Sequence, residues 1–166
     1  MTKKGFTIIE TLVAVSILSI AILGAMSAIQ TGLSSYIFSK NQITAFYLGQ
    51  EGFEQIRNVR DENRLAGRNW LYSIAESSDP CYFGQLCTVS PVETNLLIGC
   101  AGSCQNLRQN AEGFFGYDAS WSPTIFRREI QLASVNADEI SIIVTVSWTK
   151  GGVARQFRAK ENLLNW

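Results

Sequence analysis

Four cysteines are the side chains with the clearest chemical potential in this 166-residue sequence. Cys81, Cys87, Cys100 and Cys104 are separated by five, twelve and three residues. They form no CxxC pair, which is the spacing typical of zinc ribbons and thioredoxin-like sites. If this part of the chain is exported, two disulfides are the prediction. A site in which four thiolates bind a metal ion is the alternative.

Four cysteines allow three disulfide pairings. We favour Cys81–Cys87 and Cys100–Cys104, because partners that are close in sequence need the least chain closure. The other pairings remain open. In either case the bonds would stiffen a loop region that has little core of its own.

Composition and residue types exclude several kinds of site. The chain has no histidine, which removes histidine-based triads and the histidine ligands of zinc and haem. No nucleophile–base set is visible, and Asp118, Asp138 and Glu139 lack a calcium-loop pattern. Acidic and basic residues balance at 14 each, so no basic field favours nucleic acid. We therefore expect no catalytic residue, cofactor, metal site or nucleic-acid partner, and an exported enzyme is a weak alternative.

Charge is distributed very unevenly along the chain. No charged residue lies between Glu10 and Lys40, and residues 6–29 are nearly all apolar. As a helix, this stretch spans roughly 36 Å, enough to cross a bilayer core. Lys3 and Lys4 precede it, which favours a cytoplasmic N-terminus. Glu10 is the exception, because a carboxylate inside an apolar membrane helix costs about 2.5 kcal/mol or more. Neither a cleaved signal peptide nor a plain anchor explains it.

The stretch KKGFTIIE at residues 3–10 resembles the prepilin leader junction of type IV pilins and type II secretion pseudopilins. The resemblance implies that a prepilin peptidase cleaves between Gly5 and Phe6 and that the new Phe6 amine is methylated. Glu10 is then the fifth mature residue. It would pair with its own Phe6 amine or with that of a neighbouring subunit, and so set the register of a filament. An acid that only complements the helix dipole is the simpler interpretation of Glu10.

What the resemblance implies is a structural role without catalysis. The chain would be a minor pilin of a type IV pilus-like filament, assembled through its N-terminal helix. Its partners would be prepilin peptidase, other pilin subunits, the inner-membrane assembly platform and, before assembly, membrane lipid. It would be a single-pass protein of the cytoplasmic membrane, N-in and C-out, and afterwards part of an extracellular or periplasmic filament.

Two alternative functions remain open. Many major pilins carry a proline in the apolar helix, whereas residues 6–63 contain none, which leaves a type II secretion pseudopilin possible. A membrane-anchored extracytoplasmic binding domain that never polymerises is the alternative from another class.

The fold predicted is α+β and pilin-like, with a long N-terminal helix packed on a small antiparallel meander. Apolar residues recur at helical spacing as far as Val59, which predicts one helix over 6–63. The predicted organisation is leader 1–5, transmembrane or filament-core helix 6–29, amphipathic half of the same helix 30–63, and globular head 64–166.

Within the globular head, residues 64–122 are predicted to lack regular secondary structure, and the strands follow them. Strands are predicted at 124–134, 139–150 and 153–160, with Gly151-Gly152 as a hairpin turn. Basic residues of the first and last strands are assigned to a solvated sheet face: Arg127, Arg128, Arg155, Arg158 and Lys160. Trp148 and Trp166 are predicted to pack.

Overall fold

The computed structural model describes residues 5, 7–91 and 96–166. It has the α+β architecture that the sequence predicts, with a long N-terminal helix and an antiparallel sheet. The helix α1 spans Ile8–Leu65. The strands in the described part of the chain are β1 (Leu86–Val89), β2 (Leu97–Gly99), β3 (Asn106–Gln109), β4 (Phe115–Gly116), β5 (Ser122–Asn136), β6 (Glu139–Lys150) and β7 (Val153–Leu164).

The chain divides into two compact units, Met1–Asn41 and Gln42–Trp166. We call them the N-terminal unit and the C-terminal unit. Every buried apolar side chain of the described residues lies in the C-terminal unit, from Ala45 to Leu163. This unit therefore holds its own hydrophobic core, built between the second half of α1 and the sheet.

The predicted meander is present as β5, β6 and β7, and β5 also joins it to the rest of the sheet. One edge of β5 pairs with β6, which pairs in turn with β7, and the other edge pairs with β1 and β3. Gly151 and Gly152 join β6 to β7 with φ values of 59° and 78°. Two successive positive φ angles define a type I′ turn, which matches the twist of a hairpin.

Residues 64–122 are more ordered than the sequence predicts. They contain β1 to β4, each of two to four residues, which extend the sheet beyond β5. Strands this short are below the length at which alternation can be recognised. Their order comes from pairing with β5 and with each other, which the local sequence does not encode.

Two glycines let α1 approach the sheet closely. A Cβ atom placed on Gly49 would lie 2.7 Å from the ring of Phe157, and one on Gly52 would lie 3.3 Å from Val144. Each glycine costs about 1 kcal/mol of helix propensity relative to alanine. The close packing of the helix on the sheet, which a larger side chain at these positions would disturb, offsets that cost.

Arg128 is not on the solvated face of the sheet, where the sequence analysis placed it. Its side chain is fully buried on β5 and points toward α1. Nη1 donates to the carbonyl of Leu48 at 3.1 Å and to the carboxylate of Glu51 at 2.5 Å, while Nη2 donates to the carbonyl of Val89 at 2.6 Å. One guanidinium thus joins β5 to both α1 and β1.

A second set of charges connects α1 to β7 at the surface. Arg57 Nε donates to Glu161 at 2.9 Å, and Nη1 of Arg57 donates to Glu54, three residues earlier on α1, at 2.7 Å. The hydrogen bond that Arg57 donates to the Glu161 carboxylate is the main reason that the pKa of Arg57 is raised. Because Arg57 is about one-third exposed, this link orients the helix more than it stabilises the fold.

Candidate processing and assembly site

Thr7 and Glu10 fix the start of α1. Thr7 Oγ1 accepts a hydrogen bond from the backbone N–H of Glu10 at 3.3 Å, and the Thr7 carbonyl accepts one from Thr11 N–H at 3.2 Å. Thr7 is therefore the N-cap residue, and Thr7-x-x-Glu10 has the signature of a capping box. This role of Thr7 was not predicted, although the Thr-x-x-Glu spacing is visible in the sequence. Glu10 also lies where a negative charge complements the helix dipole.

Gly5 is exposed, and a Cβ atom placed on it would meet nothing within 4 Å in the described structure. Packing within the described chain therefore imposes no requirement for glycine at this position. Phe6, the predicted methylation site, lies outside the described residues. Cleavage between Gly5 and Phe6 consequently stays a prediction from the sequence.

Several hydroxyl side chains in the first half of α1 bond to the backbone of the helix itself. Four hydroxyl side chains donate to a carbonyl about one turn earlier at 2.8–3.0 Å: Thr11 to Ile8, Ser16 to Leu12, Ser19 to Val15 and Thr31 to Ser27. These hydroxyls can enter an apolar environment without losing a hydrogen bond. Glu10 differs, since no ion pair among the described residues includes it.

The same segment exposes its large apolar side chains. Ile8 is 81% exposed, Leu23 is 69% exposed and Leu33 is 61% exposed. In the described residues, α1 is the one helix long and apolar enough to cross a membrane, judged by length and composition. So large an apolar surface requires lipid or protein to cover it. This helix therefore fits membrane anchoring.

The structure pairs Cys81 with Cys87 and Cys100 with Cys104. Their Cα atoms are 5.1 Å and 4.8 Å apart, respectively. The first bond holds the loop before β1 against that strand, and the second closes the turn between β2 and β3. All four sulfur atoms are engaged, so this arrangement leaves no thiolate for a metal ion.

The two disulfides differ in exposure, and this predicts the order in which they are reduced. Cys81 and Cys87 are both fully buried, whereas Cys100 is only half-buried. Thiol–disulfide exchange depends on access to sulfur. With graded reductant under native conditions, alkylation and peptide mapping should therefore find Cys100 and Cys104 labelled first. Labelling of the denatured protein before any reduction would contradict the prediction, as would equal rates for the two bonds.

The acidic residues considered for calcium do not come together. Asp118 accepts hydrogen bonds from the hydroxyl and the N–H of Ser120, and these bonds lower the pKa of its carboxyl group. Glu139 is instead the first residue of β6, and Asp138 lies in the turn before it. The Asp138 carboxylate accepts from Asn165, just after β7, and the Glu139 carboxylate accepts from Asn136 and Asn162, so each of these acids has its own partners.

One comparison with known proteins found a match. Residues 1–26 match the family model described as the prokaryotic N-terminal methylation motif. The match includes Gly5, Phe6 and Glu10 and the first turns of α1. Comparison with curated proteins gave no match, and neither did comparison with solved structures.

The N-terminal motif and the fold lead to the same class of protein. The motif supports a type IV pilin-like protein. The long helix packed on an antiparallel sheet is the pilin-like α+β arrangement. Such a motif implies processing by prepilin peptidase and assembly with other pilins.

Proposed function

We propose that this chain is a minor pilin, a structural subunit of a type IV pilus-like filament. Prepilin peptidase cleaves it between Gly5 and Phe6, and the Phe6 amine is then methylated. The observation that carries the proposal is the methylation motif at residues 1–26, continued by a capped apolar helix with exposed side chains. Catalysis by the chain itself is not part of this role.

Cleavage creates the charged group on which the proposed assembly depends. The new Phe6 amine is a cation that the precursor lacks at this point of the chain. Glu10, one turn further along, is a carboxylate without an ion-pair partner in the described residues. Pairing Glu10 with the amine of a neighbouring subunit sets the register between copies, while the exposed apolar side chains of α1 cover one another.

The location of the protein changes with these steps. Before assembly the apolar segment 6–29 crosses the cytoplasmic membrane, with residues 1–5 inside and the disulfide-bonded C-terminal unit outside. The inner-membrane assembly platform then moves the subunit from lipid into the filament. The two disulfides support an oxidising environment for the C-terminal unit.

Gly5→Val should stop processing, because the peptidase must fit the junction and not because the chain needs glycine there. A Cβ atom on Gly5 meets nothing within 4 Å, so this variant isolates the requirement of the enzyme. We expect the full-length precursor to accumulate in the membrane, as measured by intact mass and N-terminal peptide mapping.

Gly24→Val is the matched control for this experiment. Gly24 lies in α1, and its Cβ position is equally open. This variant should be cleaved as efficiently as the wild type. If Gly5→Val released a chain beginning at Phe6 at the normal rate, the proposed processing would be wrong.

A type II secretion pseudopilin is the second candidate, favoured by one observation. The helix runs from Ile8 to Leu65 without a proline. Deletion separates the two candidates: loss of surface filaments indicates a pilus, and loss of protein export with filaments intact indicates a secretion system. If neither changed, the non-polymerising anchored domain would be favoured.

A further inference from the structure

The strand β7 forms an edge of the sheet. It has twelve residues and pairs with β6 throughout, from Lys150↔Val153 to Glu139↔Leu164, without a register shift. In the described part of the chain no other strand pairs with it. A long edge of this kind presents backbone donors and acceptors that another strand can use.

The hydrogen bonds at the end of β7 show which groups face outward. Asn165 N–H donates to the Asp138 carbonyl at 2.9 Å, so this pair is a hydrogen-bonded one. Because such pairs alternate along antiparallel strands, odd-numbered residues of β7 bond to β6 and even-numbered residues point away from it. The Leu164 carbonyl follows this rule, since Arg60 Nη1 binds it from outside at 2.7 Å. The outward backbone groups that remain belong to Ala154, Gln156, Arg158, Lys160 and Asn162.

The two faces beside this edge differ in chemistry. On the face opposite α1, Arg158 and Lys160 are exposed, and no ion pair of the described residues includes them. On the face toward α1, Phe157 is half-buried and its ring centroid lies 5.6 Å from that of Phe46. Phe46 is itself 44% exposed. The edge is therefore basic on one side and aromatic on the other.

We propose that β7 binds an extended segment of another protein by strand addition, and that acidic and apolar residues alternate in that segment. Its acidic side chains lie beside Arg158 and Lys160, and its apolar side chains lie beside Phe157 and Phe46. Cross-strand pairs of opposite charge are stabilising, and alternate side chains give specificity in this mode of binding. The interaction goes beyond filament assembly and does not depend on it.

A second copy of this chain fits the edge poorly. Pairing β7 with β7 of a second copy would bring four cations onto one face, namely Arg158 and Lys160 of each chain. Like charges on neighbouring strands are destabilising, and cations on an edge strand are a common protection against self-pairing. The charge pattern thus favours an acidic partner over self-association.

The test uses the full oxidised chain in non-ionic detergent and a fluorescent octapeptide in which glutamate alternates with valine. Fluorescence anisotropy should show saturable binding. Hydrogen exchange should slow at the outward amides of Arg158 and Lys160 when the peptide is present. A peptide N-methylated at alternate residues cannot donate to the edge and should not bind, and a scrambled peptide controls for partition into micelles.

Charge variants test the chemistry of the edge. Arg158→Glu combined with Lys160→Glu should weaken binding about tenfold. The same double variant should gain binding to a peptide in which lysine alternates with valine. Arg127→Glu is the matched control, because Arg127 lies on the same face of the sheet but on β5, and it should leave the affinity unchanged.

Several results would overturn the proposal. These are no binding, binding without slower exchange at the outward amides, and an affinity that the charge reversal does not change. Slow exchange at these amides in a self-associated chain without peptide would assign the edge to a second copy. Since the N-methylated peptide needs no substitution in the protein, the test holds even if the double variant folds poorly.

Discussion

Arg128→Ala should lower the free energy of unfolding by about 3–5 kcal/mol, the usual range for truncating a large, fully buried side chain to alanine. The substitution removes three hydrogen bonds and leaves the carbonyls of Leu48 and Val89 without this donor. It also leaves a cavity between α1 and the sheet, where the fully buried side chain was. Urea unfolding of the oxidised protein, followed by tryptophan fluorescence, measures the effect.

The neighbouring arginine provides the control for this experiment. Arg127 lies on the other face of β5, opposite Ser147, and is only half-buried. Arg127→Ala should change the free energy of unfolding by less than about 1 kcal/mol. Arg128→Lys should recover only part of the loss, because an ammonium group lacks the planar fork that reaches three acceptors. Equal stabilities of Arg127→Ala and Arg128→Ala would mean that the buried guanidinium does not hold the helix on the sheet.

The long periodic elements were predictable from the sequence. β6 has the predicted bounds, because alternating β-branched residues and a glycine turn define both of its ends. The main parts of β5 and β7 were also predicted, although each strand is longer than its sequence pattern suggested. The helix ends two residues after the predicted Asn63, within the ordinary variation of helix ends.

Features that depend on distant contacts were not predictable. β1 and β3 pair with one edge of β5, and β2 and β4 pair in turn with β1 and β3; nothing in these strands of two to four residues specifies those partners. The role of Gly49 and Gly52 depends in the same way on Phe157 and Val144, about a hundred residues away. Helix propensity alone predicts that these glycines destabilise α1 and does not explain why they occur there.

Two side chains were placed wrongly for identifiable reasons. Arg128 was grouped with Arg127 by charge, although adjacent residues of a strand point to opposite faces. Alternation with the buried Phe126 and Ile130 would have placed Arg128 in the core, but its acceptors lie on other elements. Trp166 was predicted to pack and is 78% exposed, with Arg60 over its ring at 5.8 Å.

The residues of the N-terminal site, in contrast, were predicted from the sequence alone. Its motif is local, so Gly5, Phe6 and Glu10 could be predicted from the sequence without knowledge of the fold. The structure adds Thr7, whose hydroxyl caps the Glu10 N–H, and Glu10 stands at the N3 position, where a capping box places a glutamate. A loss of function at Glu10 could therefore arise from the missing charge or from a weakened helix start.

Glu10→Ala should be incorporated poorly into filaments, while membrane insertion and disulfide formation remain normal. An unpaired carboxylate is disfavoured in an apolar assembly. Its partner in the proposed filament, the Phe6 amine, exists only after cleavage. The loss should therefore fall on assembly, which is measured as the ratio of sheared filament subunits to membrane subunits. Cleavage should persist at least in part.

Glu10→Gln and Thr7→Val separate the two roles of the site. Glutamine can replace glutamate in a capping box but carries no charge. Thr7→Val removes the capping oxygen and keeps the charge, at a cost of about 1 kcal/mol in helix stability. If the charge pair drives assembly, Glu10→Gln fails as Glu10→Ala does, and Thr7→Val still assembles. If Glu10→Gln assembles at the wild-type level and Thr7→Val does not, Glu10 acts through the helix start, and the charge-pair role in the filament is wrong.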